Sequence, residues 1–157
     1  MKTDHPNINK LFEVFEWKNE FVLISGLSIA ASAEVAQSFL IKKKPKTLAI
    51  VAPDVPFGTF HAQMIKDLAE KLGIKIVYQN EFPIENMYAG VKMAALRIAK
   101  ANPDLAFVVG DYSYLELLTD ALKTLNKDIP LLVTQHLDQA FESSKDKSKY
   151  NKAYGIY

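Results

Sequence analysis

The chain has no cysteine among its 157 residues, which excludes a disulfide framework, a thiolate metal site and a cysteine nucleophile. It also lacks an excess of either charge. Lys and Arg number 19 against 18 Asp and Glu, a net +1, so there is no electrostatic footprint for nucleic acid or an anionic membrane. The lysines at 42–46 and the charged stretch 143–152 read as solvated helix ends and loops. No run approaches the roughly 18 apolar residues of a membrane span, and the opening MKTDHPNINK carries no apolar core of a secretory leader. Phosphate cradles are missing as well: neither G-x-G-x-x-G nor G-x-x-x-x-G-K-(S/T) occurs. His5, His61 and His136 are far apart and none sits in a short metal-binding spacing. His61, in the first turns of a helix, reads as a surface or boundary residue. The expectation is no metal and no cofactor.

What is present is the makeup of one ordinary globular domain, 49% hydrophobic and 24% charged, large enough for a single core. Five short runs read as buried parallel strands, apolar on both faces: FVLIS (21–25), TLAIVA (47–52), IKIVYQ (74–79), LAFVVG (105–110) and PLLVTQ (130–135). Helix-period segments separate them. One after SGLS buries Val35, Ala36, Phe39 and Leu40. Another at 57–72 turns Phe60, Met64, Ile65, Leu68 and Leu72 inward, and Gly73 stops it. A third at 86–101 buries Met87, Val91, Ala94, Ala95 and Ile98 and ends at Asn102-Pro103-Asp104. A fourth, about 113–126, aligns Leu115, Leu118, Ala121, Leu122 and Leu125. This alternation predicts a single α/β domain over 1–157, an open, mainly parallel sheet of about five strands with helices on both faces. The segments 1–19 and 138–157 read as peripheral or crossover.

In such a sheet ligands sit beyond the carboxyl ends of the strands. That rim collects Ser25, Gly26 and Ser28; Pro53 to Gly58; Glu81 to Asn86; Asp111 to Tyr114; and Gln135 to Asp138. Within it, Ser25-Gly26-Leu27-Ser28-Ile29-Ala30 has the strand-to-helix form of a hydrolase nucleophile elbow, and Asp111 and His136 follow in hydrolase order. Against a serine hydrolase using Ser28, Asp111 and His136 stand the early position of Ser28 and the absence of a glycine-rich oxyanion loop. Ser28 or Ser32 reads better as a helix N-cap. A receiver-type domain would need an acidic pair after the first strand and a lysine after the last, and FVLIS and PLLVTQ supply neither. A third reading is a flavodoxin-like module whose rim binds a protein, which an exposed apolar patch would favour. The aromatics of DVPFG (54–58) and GDYSY (110–114) set Phe57 and Tyr112 at helix starts, as a small-ligand cleft requires.

Three segments carry a family resemblance: KTLAIVAPDVPFGTFHAQMIKDLAEKLGIKIVYQNEFP, ANPDLAFVVGDYSYLELLTDAL and IPLLVT. In order and spacing they resemble the second lobe of type 1 periplasmic solute-binding proteins, the branched-chain amino-acid-binding or receptor-family ligand-binding group, over roughly 20–137. FVLISGLSIAASAEVAQSF resembles that lobe's crossover strand and first helix, and KAYGIY the strand that leaves it. The resemblance implies a non-catalytic protein. An amino acid or similar small solute is closed between two lobes, and an ABC permease or sensor reads the closed form in the periplasm or outside the cell. It further implies that a first lobe is missing and that this chain is a fragment with half a cleft. By position, Phe57 beside Gly58 resembles the family's ligand-touching aromatic, and Asp111-Tyr112 its later Gly-Gly-Tyr turn. Gln135 and His136 fall near its acidic partner of the ligand ammonium. Neither is a carboxylate, a departure that leaves the ammonium without a charge-assisted bond there. Asn86 stands where the family has aspartate. Ser28, on this resemblance, starts a helix near the hinge.

Overall fold

A computed structural model describes residues 12–17, 20–25, 29–134 and 137–156. The first described elements are β1 (Phe12–Trp17) and β2 (Glu20–Ser25), which pair antiparallel with Trp17 opposite Glu20 and Phe12 opposite Ser25. Then follow α1 (Ile29–Lys43), β3 (Thr47–Pro53), α2 (Pro56–Lys71), β4 (Lys75–Phe82), a 3-10 turn at Ile84–Asn86 and α3 (Met87–Ala101). The chain continues with β5 (Leu105–Val108), α4 (Tyr112–Thr124), β6 (Leu131–Val133), α5 (Leu137–Ser143), a 3-10 turn at Lys147–Tyr150 and β7 (Ala153–Gly155).

Five strands form one parallel sheet in the order β4-β3-β5-β6-β7. The expected fold class is therefore present, with one strand exchanged. FVLIS does not join this sheet; it is the second arm of the antiparallel hairpin. The FEVFEW that precedes it, rich in aromatic and β-branched residues, supplies a local partner two residues away, and a two-residue connection closes a hairpin more readily than any crossover. The fifth parallel strand is β7 instead, from KAYGIY.

Alternation along the strands divides the core into two layers. On β3, Leu48, Ile50 and Ala52 face α1 and α2 together with Leu105, Phe107 and Leu132, while Ala49 and Val51 face α3 and α4 with Ala106, Val108 and Val133. Each such residue is almost fully buried, worth about 1.5–3 kcal/mol for a Val, Leu, Ile or Phe. Helices thus cover both faces: α1 packs with α2, and α3 with α4.

The helical stripes are mostly as expected, with three corrections; the Met87 side chain lies outside the described residues. On α2 the buried stripe runs through Gly58, His61, Met64, Ile65 and Leu68, and Phe60 points outward at 59% exposure. On α1 it runs Ser32, Ala36, Leu40 at four-residue steps, which turns Val35 to the margin. Ser32 is accordingly a buried residue inside the first helical turns and caps nothing. Gly73 sits at φ +68° just past α2, where a side chain would be strained. Asn102 adopts the left-handed region at the end of α3, φ 45°, as asparagine does at such ends.

Candidate functional site

The first parallel strand, β3, has β4 on one side and β5 on the other. The chain therefore reverses direction across the sheet between β3 and β5, and the crevice outside the carboxyl ends at that reversal is where such folds bind ligands. Hydrogen bonds continue past the strand ends and set the loops side by side. Val109 N donates to Val51 O at 2.9 Å, Thr134 N to Val108 O at 3.2 Å, and Asp54 N to Phe82 O at 2.8 Å. The turns after β4, β3, β5 and β6 thus leave the sheet as one row.

The β3 turn is Asp54-Val55, with Pro56 opening α2, where its missing N–H costs no hydrogen bond. Phe57 comes next and is 44% exposed. Gly58 is buried against the strand end: a Cβ there would lie 2.0 Å from the Pro53 carbonyl oxygen. Its lack of a side chain is what lets α2 start this close to β3, and so fixes where Phe57 stands. One turn on, His61 is 3% exposed, a correction to its reading as a surface or boundary residue. Its Nδ1 lies 2.8 Å from the Phe57 carbonyl oxygen and its ring 4.3 Å from the Phe57 ring. Burial holds its pKa below the usual 6.5, offset in part by the bond to Phe57. An apolar depression of about 500 Å³ opens beside this turn, lined by Asp54, Val55, Pro56, Thr59, Phe60 and Gln63.

The β5 turn is Gly110-Asp111. Asp111 caps α4, its Oδ1 accepting from Tyr114 N at 2.9 Å, so this carboxylate is committed to starting the helix. Tyr112 follows and is 39% exposed. Tyr114 turns inward, 1% exposed, and stacks on Phe82 from the end of β4 at 4.6 Å with rings 2° from parallel. A Cβ on Gly110 would meet the Tyr114 ring at 2.8 Å. Burial pushes the Tyr114 hydroxyl far above its ordinary value of 10.0. The β4–β5 side of the rim is thus braced by two stacked aromatics that sequence reading did not single out. The i+3 step from Asp111 to Tyr114 marks Tyr114 as the first inward residue after a cap, but nothing local marks its stacking partner Phe82.

Pairing of β3 with β5 therefore brings Phe57, Gly58, Asp111 and Tyr112 to one edge of the sheet. Gln135, His136 and Ser28 lie outside the described residues. Asn86 occupies the N-cap position of α3, and its side chain makes no capping bond. Among the described residues of the rim, the exposed charges are Asp54, Glu81, Glu85 and Asp111, with no lysine or arginine. Three helices, α2, α3 and α4, start at this edge, and carboxylates complement their positive ends. The described residues hold no cluster of three or more His, Asp or Glu suited to a metal, and none of the described helices is long and apolar enough to cross a membrane. A second depression, about 490 Å³, lies at the far end of the sheet where α4 ends, with Lys123, Lys127, Lys149 and Lys152 on its walls. All four are already engaged: Lys123 by Asp146, Lys127 by the Asn102 side-chain oxygen, Lys149 by Glu116 and Asp120, and Lys152 by Asp128.

No protein family matches the sequence, and no curated protein is similar to it. Solved structures are similar in fold. A fatty acid ABC transporter substrate-binding protein from Thermomonospora curvata superposes with a TM-score of 0.70 at 15% identity, over 84% of this chain and 35% of that one. A periplasmic binding protein type 1 from Bordetella pertussis Tohama I does so with 0.61 at 21% identity, over 80% and 32%. A branched-chain amino acid ABC transporter periplasmic ligand-binding protein from Burkholderia xenovorans LB400 gives 0.64 at 14%, over 75% and 32%. The chain thus spans about a third of the length of the structures it matches, and it has the fold of a lobe of type 1 periplasmic binding proteins.

Proposed function

We propose that this chain is a solute-binding lobe acting outside the cytoplasm, and that its rim closes over a small molecule without altering it. The observation that carries this is the pair of exposed aromatic residues, Phe57 and Tyr112, in the first turns of two helices that start side by side at the β3–β5 reversal. Aromatic rings left two-fifths exposed at this edge are surfaces for an apolar solute body. The nearby carboxylate of Asp54 favours a solute that also carries an ammonium or other donor group. An apolar amino acid or amine meets both conditions. A fatty acid, which the Thermomonospora protein is named for, meets only the first. The solute is held between this rim and a second lobe, and an ABC permease or sensor reads the closed state.

Phe57, Tyr112, Asp111 and, beyond the described residues, Gln135 and His136 form the proposed contact set, with Gly58 seating the helix that carries Phe57. No chemistry is assigned to it. The Asp111 carboxylate caps its own helix, which leaves it poorly suited to orient a histidine in a Ser28 hydrolase. Titration of the chain with apolar amino acids, short amines and fatty acids, followed by calorimetry and NMR, tests the proposal. Saturable binding lost in Phe57→Ala and Tyr112→Ala is expected. Absence of binding across the panel, or binding indifferent to both substitutions, would overturn it.

A further inference from the structure

We propose that His61 is the positioning residue for Phe57, anchoring that ring in the pose it presents to a solute; this rests on the reading of Phe57 as part of the solute wall. A phenylalanine 44% exposed at the start of a helix would ordinarily move among rotamers, since solvent offers it no fixed neighbour. Here it has one on its own helix. His61 sits one turn later, so its side chain projects back toward position 57. It grips the residue twice. The ring centroids are 4.3 Å apart with planes tilted by 47°, and Nδ1 lies 2.8 Å from the Phe57 carbonyl oxygen. A carbonyl only accepts, so Nδ1 carries the proton, and this fixes the tautomer.

The imidazole is itself immobile because it is 3% exposed and belongs to the buried stripe of α2. Burial lowers its pKa below 6.5, so the ring is neutral at neutral pH and packs against Phe57 as an uncharged plane. The strand end constrains the same turn from below, where Gly58 rests on Pro53. Backbone and ring of Phe57 are thus set before any solute arrives. A side chain already ordered loses less freedom on contact.

The test uses the full chain with 4-fluorophenylalanine at position 57 and follows its fluorine resonance. In the parent protein the resonance is expected well displaced from that of the free amino acid. His61→Phe, which keeps a ring in place, should retain the displacement. His61→Asn, which keeps an N–H donor without a ring, and His61→Ala should both move the resonance toward the free value. Should His61→Ala not fold, the comparison of Asn with Phe decides. A resonance unchanged in His61→Asn, with cooperative unfolding intact, would overturn the proposal. L-Leucine is then titrated, and His61→Asn is expected to weaken its binding about two- to tenfold. If neither leucine nor another apolar amino acid moves the resonance of the parent while its dependence on residue 61 holds, the solute reading fails and the positioning role stands.

Discussion

Replacing Gly58 by alanine is the sharpest perturbation of the rim. The added Cβ would stand 2.0 Å from the Pro53 carbonyl oxygen and 2.9 Å from two atoms of the Pro53 ring. Real Cβ atoms essentially never approach closer than 3.0 Å, so strand end and helix start must separate by about an ångström. Neither side yields easily. Pro53 is the last residue of β3 and pairs with Phe82 of β4, and the next amide, Asp54 N, is bonded to the Phe82 carbonyl at 2.8 Å. Forcing extra volume into a packed site costs about 1–3 kcal/mol, and contact with backbone on a braced strand places this case at about 2–3. At about 2–4 °C per kcal/mol for a chain of this size, Gly58→Ala should lower the melting temperature by about 4–12 °C, read by circular dichroism. Gly73→Ala is the control. A Cβ there meets nothing within 4 Å, but φ is +68°, so only left-handed strain of about 1 kcal/mol applies. If Gly58→Ala costs no more than Gly73→Ala, the packing argument for the rim is wrong.

Four further outcomes are expected. Tyr114→Phe should leave stability unchanged or raise it by up to about 1 kcal/mol, because the buried hydroxyl has no hydrogen-bond partner among the described residues; a clear loss in urea unfolding would show that it has one. Leu118→Ala, at a fully buried position of α4, should cost about 2–5 kcal/mol by the same assay, and a cost under 1 would contradict its place in the core. Asp104 accepts from Lys46 N at 2.8 Å and Thr47 N at 3.0 Å, bonds that hold its carboxyl below the usual 3.8. Its stabilisation is full above that value and is lost as pH falls through the folded one; the melting difference between the parent and Asp104→Ala should shrink from pH 6 toward pH 3. For His61, the folded pKa lies below 6.5, so its contribution is present above 6.5 and lost as pH falls through the folded value. The Hε1 resonance should titrate with a midpoint under 6.5; a midpoint at or above it would contradict the burial.

Much of this architecture is legible because parallel strands buried on both faces are continuous apolar runs. TLAIVA and LAFVVG could be little else, and their adjacency puts the two aromatic turns on one edge. FVLIS shows the limit of that signal. An apolar run says that a strand is buried but not which strand it pairs with, and FEVFEW two residues upstream, rich in strand-forming residues, was the missed cue. On α2, the expectation followed the largest apolar residue, Phe60. The stripe actually passes through Gly58, His61, Ile65 and Leu68, and the spacing of 61, 65 and 68 already placed a histidine on the inner face. The buried pair Phe82 and Tyr114 was beyond reach, since ring stacking across α4 and β4 depends on a register that no local pattern encodes.

The central claim is that the edge at the β3–β5 reversal receives a solute. The most direct measurement is a map of backbone amide shifts on titration with L-leucine, or with any panel member that binds. Shifts concentrated at 54–58 and 110–114 are predicted. A map centred on the lysine-lined groove at the far end of the sheet, or one that stays blank through millimolar solute, would contradict the account.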